Sequence, residues 1–160
     1  MIYNIYCLYY VIKAKTRKHK KILAFAFFLG LAVSSFAQTS NGGTIFQTIK
    51  MEEAKSQAAK EDKLIFVDIY TTWCGPCKTM SEKIFPQKEV GDYFNSNFIN
   101  VKFDAERGEG IQVAKNYNVT AYPTFLILDK EGKEVGRVVG AKTPAEVFIK
   151  DVEKVREIKK

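Results

Sequence analysis

Two cysteines, Cys74 and Cys77, sit in the run Thr72-Trp73-Cys74-Gly75-Pro76-Cys77-Lys78. With only Gly75 and Pro76 between them, two thiols on the first turn of a helix can close a disulfide with little backbone movement. The pair is therefore a candidate redox centre. A merely structural staple is the weaker reading, because so short a loop hardly constrains the unfolded chain. The same spacing occurs in zinc sites, but a metal here would find two thiolates and only carboxylates beyond them. The sole histidine, His19, stands near the N-terminus, so neither a histidine ligand nor a Cys-His or Ser-His pair is expected in the body of the chain. Gly108-Glu109-Gly110 is a lone glycine pair that reads as a turn before a helix, with no phosphate loop or dinucleotide fingerprint.

The elements that must position the thiols flank them. Leu64-Ile65-Phe66-Val67-Asp68-Ile69-Tyr70 is short, β-branched and aromatic, the pattern of a buried parallel strand, and its one interruption is an acid. From Cys74 the pattern turns helical, with Met80, Ile84 and Phe85 on one side and Lys78, Glu82 and Lys83 on the other, up to Pro86. A thiol attacks only as thiolate. Cys74, at the helix start, faces the unpaired amides and the positive end of the helix dipole, which makes it the expected nucleophile. Cys77, one turn inside and less exposed, is the expected resolving thiol. Pro76 removes one amide that could stabilise the Cys74 thiolate, which favours a reductant.

The segment from Val67 to Lys78, with its Trp-Cys-Gly-Pro-Cys-Lys core, resembles the active-site segment of the thioredoxin family, and Tyr122-Pro123-Thr124 resembles that family's cis-proline loop. The resemblance runs from about residue 44 to residue 155. It implies an α/β thioredoxin fold, a central mixed sheet with helices on both faces. It implies that Asp68 is the buried acid that takes the proton of the resolving cysteine, as a carboxyl raised by an apolar strand could. The alternative is an acid satisfied by a structural hydrogen bond. The family's lysine beside this acid falls at Asn100. Trp73, Gly75, Pro76, Tyr122, Pro123 and Thr124 are the implied substrate-binding residues, with core packing as the alternative for Trp73 and Tyr122. Since the family has a kink proline where this chain has Glu82, the helix is expected to run straight to Pro86.

Ahead of this domain, Lys13, Lys15, Arg17, Lys18, Lys20 and Lys21 precede an apolar run over residues 22–33 and then Ser35-Phe36-Ala37. This is the pattern of a signal peptide cleaved after Ala37. An uncleaved anchor is the alternative, though the apolar run is short of the roughly 20 residues that a spanning helix needs. Residues 1–11 are too apolar for an ordinary signal-peptide start, which fits a start site placed too far upstream. The charge of +7 resides there: six of the 25 Lys and Arg and none of the 18 acids precede Ala37, leaving 19 against 18. With mixed-sign charge and no basic stripe, a nucleic-acid partner is not expected. The chain thus divides into a leader (1–37), a flexible start (38–43) and one domain (44–160).

Within the domain the expected order is an edge strand over 44–49, a helix over 51–60, the central strand, the Cys74 helix and a second helical piece over 87–97. A strand over 98–104 follows, then a helix over 110–117 that buries Ile111, Val113, Ala114 and Tyr117. Strands over 124–128 and 134–139 pair antiparallel around a turn. Thr143 and Pro144 read as the N-cap and first residue of a last helix reaching Ile158, burying Phe148, Val152 and Val155. The sequence therefore reads as a secreted or periplasmic protein-disulfide reductase, a monomer without metal or cofactor beyond the Cys74–Cys77 disulfide. Its partners would be disulfide-containing exported proteins and an upstream thiol reductant in the membrane. A disulfide oxidant or isomerase, or a redox-inactive binding module, is the alternative.

Overall fold

A computed structural model describes residues 42–157. The leader, its cleavage site and Ile158 lie outside the described residues. The elements are α1 (Met51–Glu61), β1 (Leu64–Tyr70), α2 (Gly75–Thr79) with a π-helical turn (Met80–Ile84), α3 (Lys88–Asn97), β2 (Phe98–Asp104), α4 (Glu109–Asn116), β3 (Thr124–Leu128), β4 (Glu134–Val139) and α5 (Ala145–Glu157). Four strands form one mixed sheet in the order β2-β1-β3-β4. β1 runs parallel to β2, and the pairs β1–β3 and β3–β4 are antiparallel.

β1 is central because both of its faces are apolar. Side chains alternate across a strand, so Ile65, Val67 and Ile69 pack with α1 and α4 residues such as Ala54, Ala58 and Val113. Phe66 enters a second core with Met80, Ile84, Phe94 and Phe148, contributed by α2 with its π turn, α3 and α5. Asp68 shares the Phe66 face by the same alternation. It thus points to the side of the sheet that carries the helix beginning at the cysteines.

The structure departs from the sequence reading in several places. Residues 44–49 make one isolated bridge, Gln47 to Val101, and no strand. Their backbone groups are used elsewhere: Thr44 N–H donates to the Phe85 carbonyl (2.7 Å) and Ile45 N–H to Asn95 Oδ1 (2.9 Å), which leaves Phe46 facing the aromatic core. The helix after Cys74 is not a straight α-helix to Pro86, because Phe85 N–H bonds to the Met80 carbonyl five residues back (2.9 Å). That wider turn brings Met80, Ile84 and Phe85 together onto the buried side, where an α-helix would turn Phe85 away. Ile111 is 53 % exposed, because the inner stripe of α4 is Gly110, Val113 and Ala114. Pro144, not Thr143, holds the capping position of α5, its carbonyl accepting from Val147 and Phe148 N–H at 3.2 and 3.4 Å.

Two glycines permit close approaches. A Cβ on Gly110 would sit 1.9 Å from the Asp104 carbonyl oxygen, so only glycine lets α4 close on the end of β2. A Cβ on Gly43 would meet the Phe85 carbonyl oxygen at 1.9 Å, whereas one on Gly42 meets nothing within 4 Å. Gly43→Ala is therefore expected to destabilise the domain by about 1–3 kcal/mol, and Gly42→Ala by less than about 0.5 kcal/mol. Urea denaturation of the two variants checks the contrast.

Candidate active site

β1 ends at Tyr70 and delivers the chain through a short turn to α2. Cys74 is the N-cap residue, in an extended conformation, and its Sγ accepts a hydrogen bond from Cys77 N–H at 3.1 Å. Pro76 stands in the first turn of α2, where it supplies no N–H. The two sulfurs are joined in a disulfide with a Cα–Cα distance of 5.3 Å. Both cysteines are 5 % exposed in this oxidised form, so the predicted difference in exposure is not present here. What separates them is position on the helix: Cys74 precedes the first turn and Cys77 lies within it. The amide that reaches Cys74 Sγ would stabilise a negative sulfur there.

Asp68 is 2 % exposed, and its Oδ1 has no hydrogen-bond partner among the described residues. A structural hydrogen bond therefore does not account for that oxygen. Burial pushes its pKa up to about 7, with the positive charge of Lys102 pulling the other way. Lys102 lies directly across from Asp68 in the β1–β2 register, whereas Asn100 lies across from Phe66. Asn100 is buried, and its side-chain amide donates to Asn95 Oδ1 at 3.1 Å. The lysine beside the acid is thus Lys102, two residues beyond the position the resemblance implies. Its ammonium lies over the ring of Tyr70 at 4.7 Å and faces that of Phe46 at 5.5 Å.

Trp73 is 68 % exposed, so core packing does not hold it. Its Nε1–H donates to both carboxylate oxygens of Glu106, at 2.9 and 3.0 Å, and its ring meets Tyr122 edge-on with centroids 6.1 Å apart. The Tyr122–Pro123 peptide is cis. The last β1–β3 register pair is Ile69 with Thr124, so Tyr122 lies before the ladder, and its backbone makes no hydrogen bond to the described residues. Thr124 is buried and donates its hydroxyl to the Ala121 carbonyl at 2.8 Å, fixing the loop. Gly75 and Pro76 are exposed beside the disulfide. The disulfide, Trp73 and Tyr122 thus border a surface that offers an unpaired backbone segment, a setting for an extended peptide.

Sequence reasoning missed Glu106, Lys102 and Phe46. What places Glu106 is the pairing of the two strands: β1 and β2 are parallel and end together, with Ala105 N–H donating to the Tyr70 carbonyl at 2.8 Å. The residues that follow Asp104 must therefore lie beside those that lead to Trp73. Two clefts open elsewhere. One, of about 590 Å³, lies at the opposite end of the sheet among Leu64, Asn97, Asp129 and Arg156. The other, of about 380 Å³, is lined by Gly43, Phe46, Ser81, Pro86 and Lys102.

A disulfide at the N-terminus of a helix, on a mixed sheet and next to a cis-proline loop, defines a thiol–disulfide oxidoreductase. The family model described as a thioredoxin-like domain matches residues 51–156, and the chain belongs to that family. Among its relatives, Thioredoxin-2 of Pyricularia oryzae is 38 % identical over 68 % of this chain and 59 % of its own length. Thioredoxin of Echinococcus granulosus is 43 % identical over 56 % of this chain and 77 % of its own. The solution structure of a "putative disulphide-isomerase" from Bacteroides thetaiotaomicron is 46 % identical, covers 72 % of this chain and 95 % of that one, and superposes with a TM-score of 0.65.

The raised pKa of Asp68 has a consequence for stability. The unfolded chain releases this proton near pH 3.9, the folded protein only near pH 7. The acid's contribution is therefore most favourable below about pH 4 and is lost as pH rises to about 7. Asp68→Asn removes that loss. The variant is expected to match the parent near pH 4 and to exceed it by a few kcal/mol, on the order of 2–4, at about pH 8. Equilibrium denaturation at the two pH values tests this, and a variant less stable at the higher pH would contradict it.

Proposed function

We propose that this protein reduces disulfides in exported proteins by dithiol–disulfide exchange. The observation that carries the reading is the Cys74–Cys77 disulfide at the start of α2, on the face of the sheet that also holds a buried acid with an unpartnered Oδ1. In the reduced protein the Cys74 thiolate attacks one sulfur of the substrate disulfide, and the other sulfur leaves as a thiolate, which takes its proton from solvent. Asp68 then accepts the proton of Cys77, directly or through water. The Cys77 thiolate attacks Cys74 Sγ, the bond from Cys74 to the substrate breaks, and the Cys74–Cys77 disulfide forms. Two electrons pass from the protein to the substrate, so the pair itself is the redox group and the exchange requires no bound cofactor or metal. Trp73, Tyr122 and Pro123 are the residues in this reading that hold the substrate segment.

The Gly75-Pro76 dipeptide favours the reducing direction, toward the about −270 mV of reducing family members and away from the about −120 mV of strong oxidants. The basic cluster, apolar run and small residues before Gln38 support export to a periplasm or beyond, with the mature chain starting at Gln38 and acting as a monomer. In such a compartment the pair needs recharging, which assigns an upstream thiol reductant embedded in the membrane. Isomerisation is the second reading, favoured by the description of the Bacteroides relative.

Cys77→Ser is expected to trap exported proteins on Cys74 as mixed disulfides, identifiable by mass spectrometry, and Cys74→Ser to trap none. Parent protein should reduce insulin, whereas isomerase activity would show as recovery of scrambled ribonuclease without net reduction. In stopped-flow exchange, Asp68→Asn should slow resolution by Cys77 by about 10²-fold while leaving attack by Cys74 nearly unchanged. The mass of the native protein should correspond to a chain beginning at Gln38, and a retained leader would make it an anchored enzyme.

A further inference from the structure

Lys102 faces Asp68 across the β1–β2 register, yet it forms no ion pair with the described residues. What engages its ammonium is a pair of rings, Tyr70 at 4.7 Å and Phe46 at 5.5 Å. Tyr70 belongs to β1. Phe46 comes from the segment that leads into the domain, and its place there is tightly set. The residues on either side of it are bonded to three different elements: Thr44 N–H to the Phe85 carbonyl (2.7 Å), Ile45 N–H to Asn95 Oδ1 (2.9 Å) and Gln47 N–H to the Asn100 carbonyl (2.9 Å). Its ring packs edge-on against Phe85 at 4.9 Å and tilted against Phe66 at 6.2 Å. Phe46 and Lys102 also line the same open cleft of about 380 Å³.

A ring facing an ammonium attracts the cation and replaces part of its hydration shell. Without that ring the cleft would admit more water to the half-buried Lys102, and a more fully hydrated, screened ammonium exerts a weaker field on its neighbour. We propose that Phe46 is a positioning residue for the second half of the exchange: together with Tyr70 it holds the Lys102 ammonium partly dehydrated beside Asp68, so that the acid can stand ionised and accept the Cys77 proton. This rests on the proton-accepting role of Asp68 proposed above. The segment over residues 42–49 is on this account part of the redox machinery, though it lies far in sequence from Cys74.

Few other charges compete. Facing Asp68 from β2 is Lys102, and from β3 its partner is Phe125, which carries none. Tyr70, on β1, interacts with Asp68, and burial raises its pKa, so it stays neutral through the working range; Asp104 and Arg107 act on Tyr70 with opposite signs. On α2 and its π turn, Lys78 and Glu82 are exposed and paired with each other at 3.7 Å. The 42–49 segment carries no titratable side chain.

The test follows release of the second thionitrobenzoate after reaction of the reduced protein with dithiobis-nitrobenzoate, as a function of pH. Phe46→Leu, which keeps the site apolar but removes the ring, should move the midpoint of this resolution step up by about half a pH unit, with the first release unchanged. Phe46→Tyr should restore the parent midpoint. Lys102→Met should move it further up, and in that background Phe46→Leu should add nothing. Should Phe46→Leu fail to fold, Phe46→Met serves the same comparison. A folded ring-less variant with the parent midpoint, or a shift that persists in Lys102→Met, overturns the inference and leaves Phe46 as core packing. A midpoint that survives Asp68→Asn instead overturns the role of the acid, a distinct result from one abolished by Asp68→Asn but indifferent to Phe46→Leu.

Discussion

The ring of Phe66 is the point on which the architecture closes. It meets six other phenylalanine rings, those of Phe46, Phe85, Phe94, Phe98, Phe125 and Phe148. These come from the entering segment, the end of the π turn, α3, β2, β3 and α5. The entering segment, the end of the π turn, two helices and two strands are thus placed against one side chain. Offset and edge-on ring contacts are directional as well as apolar, so the cluster fixes orientation along with distance. Two residues further along β1, on the same face, stands Asp68. The surroundings of that buried acid are thus held by rings, of which Phe46 alone also faces the Lys102 ammonium.

The burial of Asp68 opposes stability and, on the proton-accepting role proposed for it, serves reactivity. An isolated carboxylate in an apolar setting is costly, and the protein moderates that cost with the lysine in register rather than with a hydrogen bond to Oδ1. A close ion pair would have held the acid ionised and made it a poor proton acceptor. A neutral neighbour would have left it protonated through the working range. Lys102 at a remove, shared with two rings, leaves the group titrating near neutrality. The same residue that weakens the core is thereby suited to the proton transfer proposed for it.

Much of this was legible in the sequence, for reasons that are local. β1 announced itself by an apolar run broken only at Asp68, α5 by the periodicity of Phe148 and Val152, and the thiols by the Trp-Cys-Gly-Pro-Cys-Lys segment. What escaped depended on contacts between distant residues. Ile111 looked like a core residue until the close approach of Gly110 to Asp104 set which stripe of α4 turns inward. Residues 44–49 looked like a strand because Ile45, Phe46 and Ile49 alternate poorly but are apolar. Only the carbonyl of Phe85 and the side chain of Asn95 reveal that the amides of Thr44 and Ile45 are spent outside the sheet, leaving Gln47 alone to bond to β2. The π turn likewise answers to the aromatic core, since nothing within residues 80–84 disfavours an ordinary α-helix. Lys102 was missed because the register of β1 on β2 cannot be counted from one strand alone.

Trp73 is the only tryptophan in the chain, and it stands on the rim of the site, bonded to the Glu106 carboxylate and touching Tyr122. Its indole is already largely in water in the folded state. The intrinsic tryptophan fluorescence of this protein is therefore a gauge of the redox rim, answering to the neighbouring cysteines, and it says little about whether the interior is packed. An emission spectrum that scarcely moves in denaturant would not signify a resistant fold. Conversely, a change in emission on adding a thiol can occur with every helix and strand in place.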